Sequence, residues 1–194
     1  MITWKYSSIM KKLLLLMLLT FTTMTFAAEE DLSFPFTPDS GKYWRYISDR
    51  TMGGVSDGQA NLERDGEVFF ARLTGNVSTR NNGGFIQFRS GISLANTEEN
   101  GQKIKGVRLI ARGNGETYYI FIRTNDTQSY SDYYSASFEV TSNWTVIDLP
   151  FNKFVRKRSN NSRLDAKNIR TFGIVAYGRN FASDVSVSTI EFYY

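Results

Sequence analysis

Short runs of aromatic and β-branched residues recur along most of the chain, and Gly, Asn, Asp or Ser separates one run from the next. Within the runs, apolar and polar positions alternate, which is the pattern of strands that bury one face. The pattern predicts nine strands, at 43–47, 67–74, 84–89, 104–112, 117–124, 132–140, 144–149, 169–177 and 185–193. Because no segment has a convincing helical period, we expect an all-β fold, an antiparallel β-sandwich.

The predicted strand 117–124 has two different faces. Tyr118, Ile120 and Ile122 form an apolar set that we expect in the core. The alternate set is aromatic and cationic, which suits either a concave sheet that faces a ligand or a polar layer covered by loops. Its members are second-rank candidates for a contact surface: Tyr119, Phe121 and Arg123.

Two dipeptides predict tight hairpin turns, Asp65-Gly66 and Asn114-Gly115, since such turns require positive φ angles that these residues tolerate. The segment 152–168 is predicted to be the longest loop. It carries a basic run that either is solvated or contacts an acidic partner or anionic lipid. The run comprises Lys153, Arg156, Lys157, Arg158 and Arg163.

The first 27 residues have the order of a cleavable signal peptide: Lys11 and Lys12, an apolar run, then small residues. The apolar run is shorter than the roughly 20 residues of a spanning helix. We therefore expect a leader at 28–42, one domain at 43–194, a periplasmic or secreted location, and no stable membrane insertion after cleavage. Met10, followed by the two lysines, is an alternative start to Met1.

Charge and composition exclude several functions. The predicted signal peptide contains three lysines and no acid, so most of the net charge of +4 lies there, and a near-neutral domain does not favour nucleic acid. The chain contains no Cys and no His, which removes the common nucleophiles and most zinc sites. Six aspartates could supply a glycosidase pair, but their spacing pairs none of them: Asp49, Asp57, Asp126, Asp132, Asp148 and Asp184. We predict no enzyme, cofactor or metal, with a structural calcium ion as the alternative.

Two double-glycine stretches, 48–59 and 78–90, are the most distinctive motifs. They lack the Lys-Ser/Thr that follows the glycines of a phosphate-binding loop. The structural interpretation is two tight corners that close over a partly buried network of Asp49, Arg50 and Arg89. The defining cluster, whether it binds or only shapes the fold, is Asp49, Arg50, Met52, Gly53, Gly54, Ser56, Asn82, Gly83, Gly84 and Arg89.

In this order, the two motifs resemble the leading motifs of the complex I intermediate-associated protein family. Further matching blocks follow at 115–123, 134–138 and 144–154, so the resemblance covers the chain from about Tyr43 onward. It implies a galactose-binding-like jelly roll. It also implies a protein-binding role, because mitochondrial members are assembly factors of NADH:ubiquinone oxidoreductase. After Phe154 the chain departs from the family pattern, which puts a contact by that loop in doubt.

The sequence therefore predicts a non-catalytic, exported binding domain with a protein partner. The alternative is a carbohydrate-binding module, since the same class of sandwich hosts such modules and aromatic side chains stack on sugar rings. Clustered aromatic residues in this chain are Tyr130, Tyr133 and Tyr134. Whether the face of Tyr119, Phe121 and Arg123 is open or lies under a loop discriminates between the two. The sequence leaves the oligomeric state and the partner's identity open.

Overall fold

The computed structural model describes residues 32–94, 103–159 and 163–194. These residues form twelve strands. The strands are β1 (Leu32–Pro35), β2 (Trp44–Ser48), β3 (Asp57–Asp65), β4 (Val68–Val77), β5 (Phe85–Gly91), β6 (Gly106–Gly113), β7 (Thr117–Thr124), β8 (Tyr134–Glu139), β9 (Thr145–Pro150), β10 (Val155–Arg156), β11 (Ile169–Tyr177) and β12 (Phe181–Tyr193). Short 3-10 turns lie at Ser40–Lys42, Asp49–Met52, Arg80–Asn82, Phe151–Lys153 and Ala166–Asn168, and no α-helix occurs in the described ranges.

The strands form two antiparallel six-stranded sheets. Sheet A has the order β3-β4-β12-β6-β9, and β1 also pairs with β12. Sheet B has the order β10-β8-β7-β11-β5-β2. Consecutive strands often lie in opposite sheets, as β6 and β7 do, which gives a galactose-binding-like jelly-roll sandwich and confirms the predicted fold class.

The core lies between the two sheets and takes alternate residues from each strand. Sheet A contributes Leu109 and Phe192, and sheet B contributes Ile120 and Ile174, all of which are almost completely buried. Tyr118, Ile120 and Ile122 have no exposed surface, so the prediction that this set faces the core is confirmed. The alternate residues of β7 consequently point to the outer face of sheet B.

The sequence pattern did not predict three of the observed strands: β1, β3 and β10. Residues 32–35, predicted to belong to a leader, instead form β1, with Leu32 opposite Phe192. The nine-residue strand β3 lies at the edge of sheet A and pairs along its length with β4. Its sequence, DGQANLERD, is almost wholly polar because an edge strand buries little. The remaining predicted strands correspond to observed ones.

One predicted hairpin is confirmed and the other is wrong. Strands β3 and β4 meet at a tight turn after Asp65, where Gly66 has a φ of 59°. Only Gly66 has positive φ there, so the turn differs from the predicted type. Asn114-Gly115 instead connects β6 in sheet A to β7 in sheet B, because the local turn signal says nothing about which strand pairs with which.

The predicted signal peptide at 1–27 lies outside the described residues. Over the part of the chain that is described, no helix has the length and apolar character needed to span a membrane.

Candidate functional site

The two double-glycine stretches meet at the side chain of Asp49, which is completely buried. We call this group the Asp49 corner: Asp49, Gly54, Ser56, Gly83 and Gly84. The Asp49 carboxylate accepts hydrogen bonds from the backbone amides of Ser56 at 2.9 Å and Gly84 at 2.6 Å. The Phe85 amide at 3.2 Å and the Ser56 hydroxyl at 2.5 Å complete the set. One side chain therefore joins the end of β2 to the loops before β3 and β5.

The glycines of this corner provide the space that the carboxylate occupies. A Cβ atom at Gly54 would lie 2.3 Å from the Asp49 Cγ, and one at Gly83 would lie 2.4 Å from the Asp49 Oδ2. Gly53 has a different function, since nothing lies within 4 Å of its Cβ position and its φ of 86° ends the 3-10 turn. Three glycines of the motif therefore serve either close approach or a left-handed backbone.

The hydrogen bonds also determine the charge state of Asp49. Burial acts to raise the pKa of this carboxyl, but the donors from Ser56, Gly84 and Phe85 outweigh it and leave the pKa below its ordinary value. The carboxylate is thus stabilised as an anion by backbone dipoles rather than by a cation.

The predicted network of Asp49, Arg50 and Arg89 does not form. The Arg50 Nε donates to the Ser56 carbonyl at 3.0 Å, and its guanidinium pairs with Asp57 at 3.4 Å, largely in solvent. Arg89 lies on the outer face of sheet B, opposite Gly173. Within the described residues no arginine donates to Asp49, because three backbone amides and a hydroxyl already occupy its oxygens. Met52 and Asn82, also in the predicted cluster, are exposed.

A second group of predicted residues lies on the outer face of sheet B, which we call the aromatic face. It is built from three neighbouring strands: Tyr119, Phe121 and Arg123 of β7, Val175 and Tyr177 of β11, and Phe85, Gln87 and Arg89 of β5, with Tyr133 after the β7 loop. In the register, Tyr119 lies beside Val175, and Phe121 lies beside Gly173. The structure thus brings together the second-rank candidates and Arg89.

The loop 125–133 covers one end of the aromatic face. The Tyr133 ring stacks on Phe121 with centroids 4.0 Å apart, and the Arg123 Nη2 donates to the Tyr130 carbonyl at 2.8 Å. Phe121 and Arg123 are consequently only 5% and 8% exposed. At the other end Tyr119, Tyr177 and Phe85 remain half-buried. The face is therefore partly open and partly under a loop.

Arg156, from the predicted basic run, anchors this loop. Its guanidinium binds Asp132 through two hydrogen bonds, of 2.9 and 2.7 Å, and its Nη1 donates to Asp126 at 2.8 Å. Hydrogen bonds from Arg156 hold the pKa of the buried Asp132 below its usual value, although burial opposes this. Sequence spacing gave no sign of this triad, because only the fold brings Arg156 of β10 to Asp126 and Asp132 of the loop 125–133.

Polar atoms on the aromatic face lack partners, unlike those of the Asp49 corner. Within the described residues, five buried side-chain polar atoms have no hydrogen-bond partner. Tyr46 Oη is one, and the other four lie on the outer face of sheet B: Arg123 Nε, Arg123 Nη1, Gln87 Oε1 and Thr171 Oγ1. Buried polar groups normally have partners, so this concentration sets the aromatic face apart from the fully paired Asp49 corner. Sequence analysis did not identify Gln87 or Thr171, whose side chains carry no distinctive motif.

Each of the six aspartates that could supply a catalytic carboxylate already has a partner in the structure. Apart from Asp49, each is paired with an arginine: Asp57 with Arg50, Asp126 and Asp132 with Arg156, Asp148 with Arg108, and Asp184 with Arg72. In the described ranges no three acidic side chains come together in a way that would hold a metal ion. Pairing with arginine holds the pKa of Asp132 and of Asp184 below the ordinary value, which makes each of them a weaker general base.

Carbohydrate-binding modules are among the solved structures with a similar fold. The family 11 module of the cellulase Lic26A-Cel5E of Clostridium thermocellum is 13% identical, with a TM-score of 0.65 over 86% of this chain and 96% of that one. The family 11 module from Clostridium thermocellum in complex with a β-1,3-1,4-mixed-linked tetrasaccharide is 14% identical, with a TM-score of 0.62 over 85% of this chain and 97% of that one. A family 30 module is 13% identical, with a TM-score of 0.53 over 86% of this chain and 90% of that one. At such identities the similarity shows the fold alone.

Family membership follows from the sequence. No curated protein matches the chain. The family model of complex I intermediate-associated protein 30, in contrast, matches residues 32–185, which include both double-glycine stretches and all three strands of the aromatic face. The chain therefore belongs to the complex I intermediate-associated protein 30 family.

Proposed function

We propose that this protein is a non-catalytic binding domain that contacts a protein partner through the aromatic face. The observation that carries the proposal is the concentration of unpaired buried polar atoms on that face, within the described residues. Such atoms destabilise the free domain, and a bound partner would supply the missing hydrogen bonds. Family membership supports a protein as the partner, since the family is named for association with complex I intermediates.

The composition of the aromatic face also favours a protein. Tyr and Arg are among the residues that dominate the binding energy of protein interfaces, and Phe is enriched there as well. Here Tyr119, Tyr177 and Phe85 are half-buried, so each offers ring surface that a partner can cover without first displacing the loop. Arg89, next to them on β5, adds a cation that is also partly exposed.

A carbohydrate is the second candidate, favoured by the contact between the half-buried rings of Tyr119 and Tyr177, whose centroids are 5.6 Å apart. Such rings can stack on sugars. The fold is that of modules one of which is solved with a bound tetrasaccharide. However, Phe121 and Arg123 are covered by Tyr133 and the loop 125–133, so a sugar would find a stacking surface at only one end of the face.

The assignment as non-catalytic rests on the chemistry of the side chains. The chain lacks Cys and His, and the aspartates considered for catalysis each bind an arginine or, for Asp49, backbone amides. None is left as an unpaired acid or base near another.

A pull-down tests the proposal. Tagged full-length protein is expressed in its source cells, and its partners are identified by mass spectrometry for the wild type, Tyr119→Ala and Val146→Ala. Val146 is a matched control, since it is an exposed apolar residue of sheet A, at 62% exposure. We expect a partner set common to the wild type and Val146→Ala and lost with Tyr119→Ala. Identical sets for all three would refute the proposed surface.

A glycan array with the same variants tests the second candidate. Saturable sugar binding that is abolished by Tyr119→Ala and kept by Val146→Ala would replace the protein-binding proposal. We expect no such binding.

We also propose that the protein acts outside the cytoplasm, in line with the predicted signal peptide at 1–27. Mass spectrometry of the protein purified from the cell envelope should find an N-terminus at about Ala28. An intact first segment in the cytoplasmic fraction would contradict this.

A further inference from the structure

Arg123 is a buried cation without an anionic partner. Its side chain is 8% exposed, its Nη2 donates to the Tyr130 carbonyl, and its Cζ lies 5.6 Å from the centre of the Tyr133 ring. Nε and Nη1 have no acceptor, which leaves three N–H bonds of the guanidinium unused. A charge buried in this way is normally paired. The domain therefore retains a cation whose partner it does not itself provide.

The surroundings of Arg123 are positively charged. Burial lowers the pKa of Arg123, repulsion from Arg89 lowers it further, and Tyr133 opposes this shift while Arg170 adds to it. Among the described residues, these three arginines form no ion pair. In contrast, Arg72, Arg108, Arg112 and Arg156 each contact a carboxylate. Arg89, Arg123 and Arg170 thus place positive charge on neighbouring strands of sheet B without a carboxylate partner among the described residues.

Small residues of β11 lie between the strands that carry Arg123 and Arg89. Thr171 lies opposite Arg123 on β7, and Gly173 lies opposite Arg89 on β5. At Gly173 a Cβ atom would lie 3.2 Å from the Gln87 Oε1 and 3.6 Å from the Arg89 Cβ, so glycine is what lets these two side chains lie against β11. We call this group the arginine hollow: Gln87, Arg89, Arg123, Thr171 and Gly173.

The unpaired atoms of the arginine hollow define what it would bind. Arg123 offers N–H donors and Thr171 offers a hydroxyl donor, which together with two positive charges select an anionic acceptor. Gln87 offers an unpaired acceptor, so the ligand also carries an N–H or O–H donor nearby. A neutral sugar would leave the buried charge uncompensated. A carboxylate beside a peptide N–H satisfies both requirements.

We propose that the arginine hollow binds the carboxylate of an aspartate or glutamate side chain of a protein partner. This inference rests on the proposed function and specifies the chemistry at the centre of the contact surface. These atoms are enclosed in the free domain and the loop 125–133 covers Arg123, so the partner displaces this loop to reach them. Its carboxylate then accepts hydrogen bonds from Arg123 and Thr171, Arg89 adds electrostatic attraction, and a partner backbone amide donates to the Gln87 side chain. The ring of Phe121, two residues before Arg123 on the same face of β7, borders the ion pair, and the rings of Tyr119 and Phe85 extend the contact surface toward the other end of the face.

Nuclear magnetic resonance tests this proposal with defined probes. The full chain, labelled with ¹⁵N, is titrated with N-acetyl-glutamate N-methylamide and with its glutamine counterpart, which has the same shape without the charge. We expect saturable shifts of the Arg123 Nε–H and of the Thr171 and Gly173 amides with the glutamate probe. The glutamine probe should bind at least tenfold more weakly. A single contact of this type gives a dissociation constant on the order of millimolar.

Two variants and a control assign the binding to the hollow. Arg123→Gln removes the charge, and Gly173→Ala crowds the Gln87 and Arg89 side chains while keeping both charges. Both should weaken binding of the glutamate probe at least tenfold, and the spectra report whether each variant is folded. Arg64→Gln removes an exposed arginine of the β3–β4 hairpin and should leave binding unchanged.

Several results would overturn the inference: equal binding of the two probes, no shift at about 50 mM of the glutamate probe, or unchanged binding by Arg123→Gln. Glucuronate that binds more tightly than the glutamate probe would assign the hollow to an acidic sugar and overturn the assignment to a protein. The proposed function fails separately. If Tyr119→Ala still abolishes partner recovery while the glutamate probe does not bind, the contact surface stands and only the carboxylate is wrong.

Discussion

The Asp49 corner and the arginine hollow both bury a charged side chain, but they treat it in opposite ways. The Asp49 carboxylate accepts four hydrogen bonds from its own chain. The Arg123 guanidinium is left with two nitrogens unpaired. Hydrogen bonding thus separates a structural role from a binding role. Sequence analysis had left both roles open for the single cluster around Asp49. A fully paired buried charge stabilises the fold, and an unpaired one is free to bind something else.

Removing the Asp49 carboxylate should cause the largest loss of stability. Asp49→Ala leaves three backbone amides without their acceptor, at about 1–3 kcal/mol for each buried group that stays unpaired. The Ser56 hydroxyl keeps only the Ser78 carbonyl, at 3.2 Å. We expect the free energy of unfolding to fall by about 5 kcal/mol, enough to unfold much of the protein. Urea denaturation followed by tryptophan fluorescence measures it. A loss of less than about 1 kcal/mol would contradict a structural role for the Asp49 corner.

Adding a methyl group beside Asp49 sharpens the same point. Gly54→Ala places a Cβ 2.3 Å from the Asp49 Cγ, so the carboxylate must leave its donors. We expect a loss of about 3 kcal/mol. Gly53→Ala is the matched control, since its Cβ contacts nothing and only the positive φ is strained, at about 1 kcal/mol. If the two variants denature at the same urea concentration, close approach to Asp49 is not what requires glycine at position 54.

Breaking the anchor of the loop 125–133 tests whether Arg156 holds this loop over the aromatic face. Arg156→Ala leaves the buried Asp132 without its guanidinium, and we expect stability to fall by about 2–4 kcal/mol. Hydrogen exchange should also accelerate at Tyr130–Tyr133, where the loop covers Phe121. Unchanged exchange in that segment would show that Arg156 does not hold the loop in place.

Acid should weaken the fold through the paired carboxyls. Asp49, Asp132 and Asp184 have folded-state pKa values below the ordinary 3.8. Their contribution to stability is therefore present above pH 3.8 and is lost as the pH falls through 3.8 toward the lower folded-state values. The free energy of unfolding, measured from pH 6 down to about 3, should decline in this window. Asp132→Asn should flatten the decline, and a curve that rises on acidification would contradict the assigned shifts.

Sequence reasoning recovered the elements whose apolar residues face the core, and β7 and β11 match their predicted bounds because both strands are central in sheet B. It missed β3, since the polar residues of an edge strand resemble a loop. It grouped Asp49 with Arg89 because both lie in the double-glycine motifs. The side chain of Arg89 in fact points away from the core, and the partners of Asp49 are mostly backbone amides, which have no sequence signature. The unpaired atoms depend on three strands and a loop together, so no local pattern could indicate them.

The free energy of unfolding of Arg123→Met tests the contrast between the two regions most directly. The substitution removes an unpaired buried charge along with one hydrogen bond to the Tyr130 carbonyl and the contact with the Tyr133 ring. These effects oppose each other, so we predict a stability within about 1 kcal/mol of the wild type, or higher. A loss of more than about 2 kcal/mol would mean that Arg123 stabilises the fold as Asp49 does. That result would contradict the proposal that the aromatic face is a binding surface.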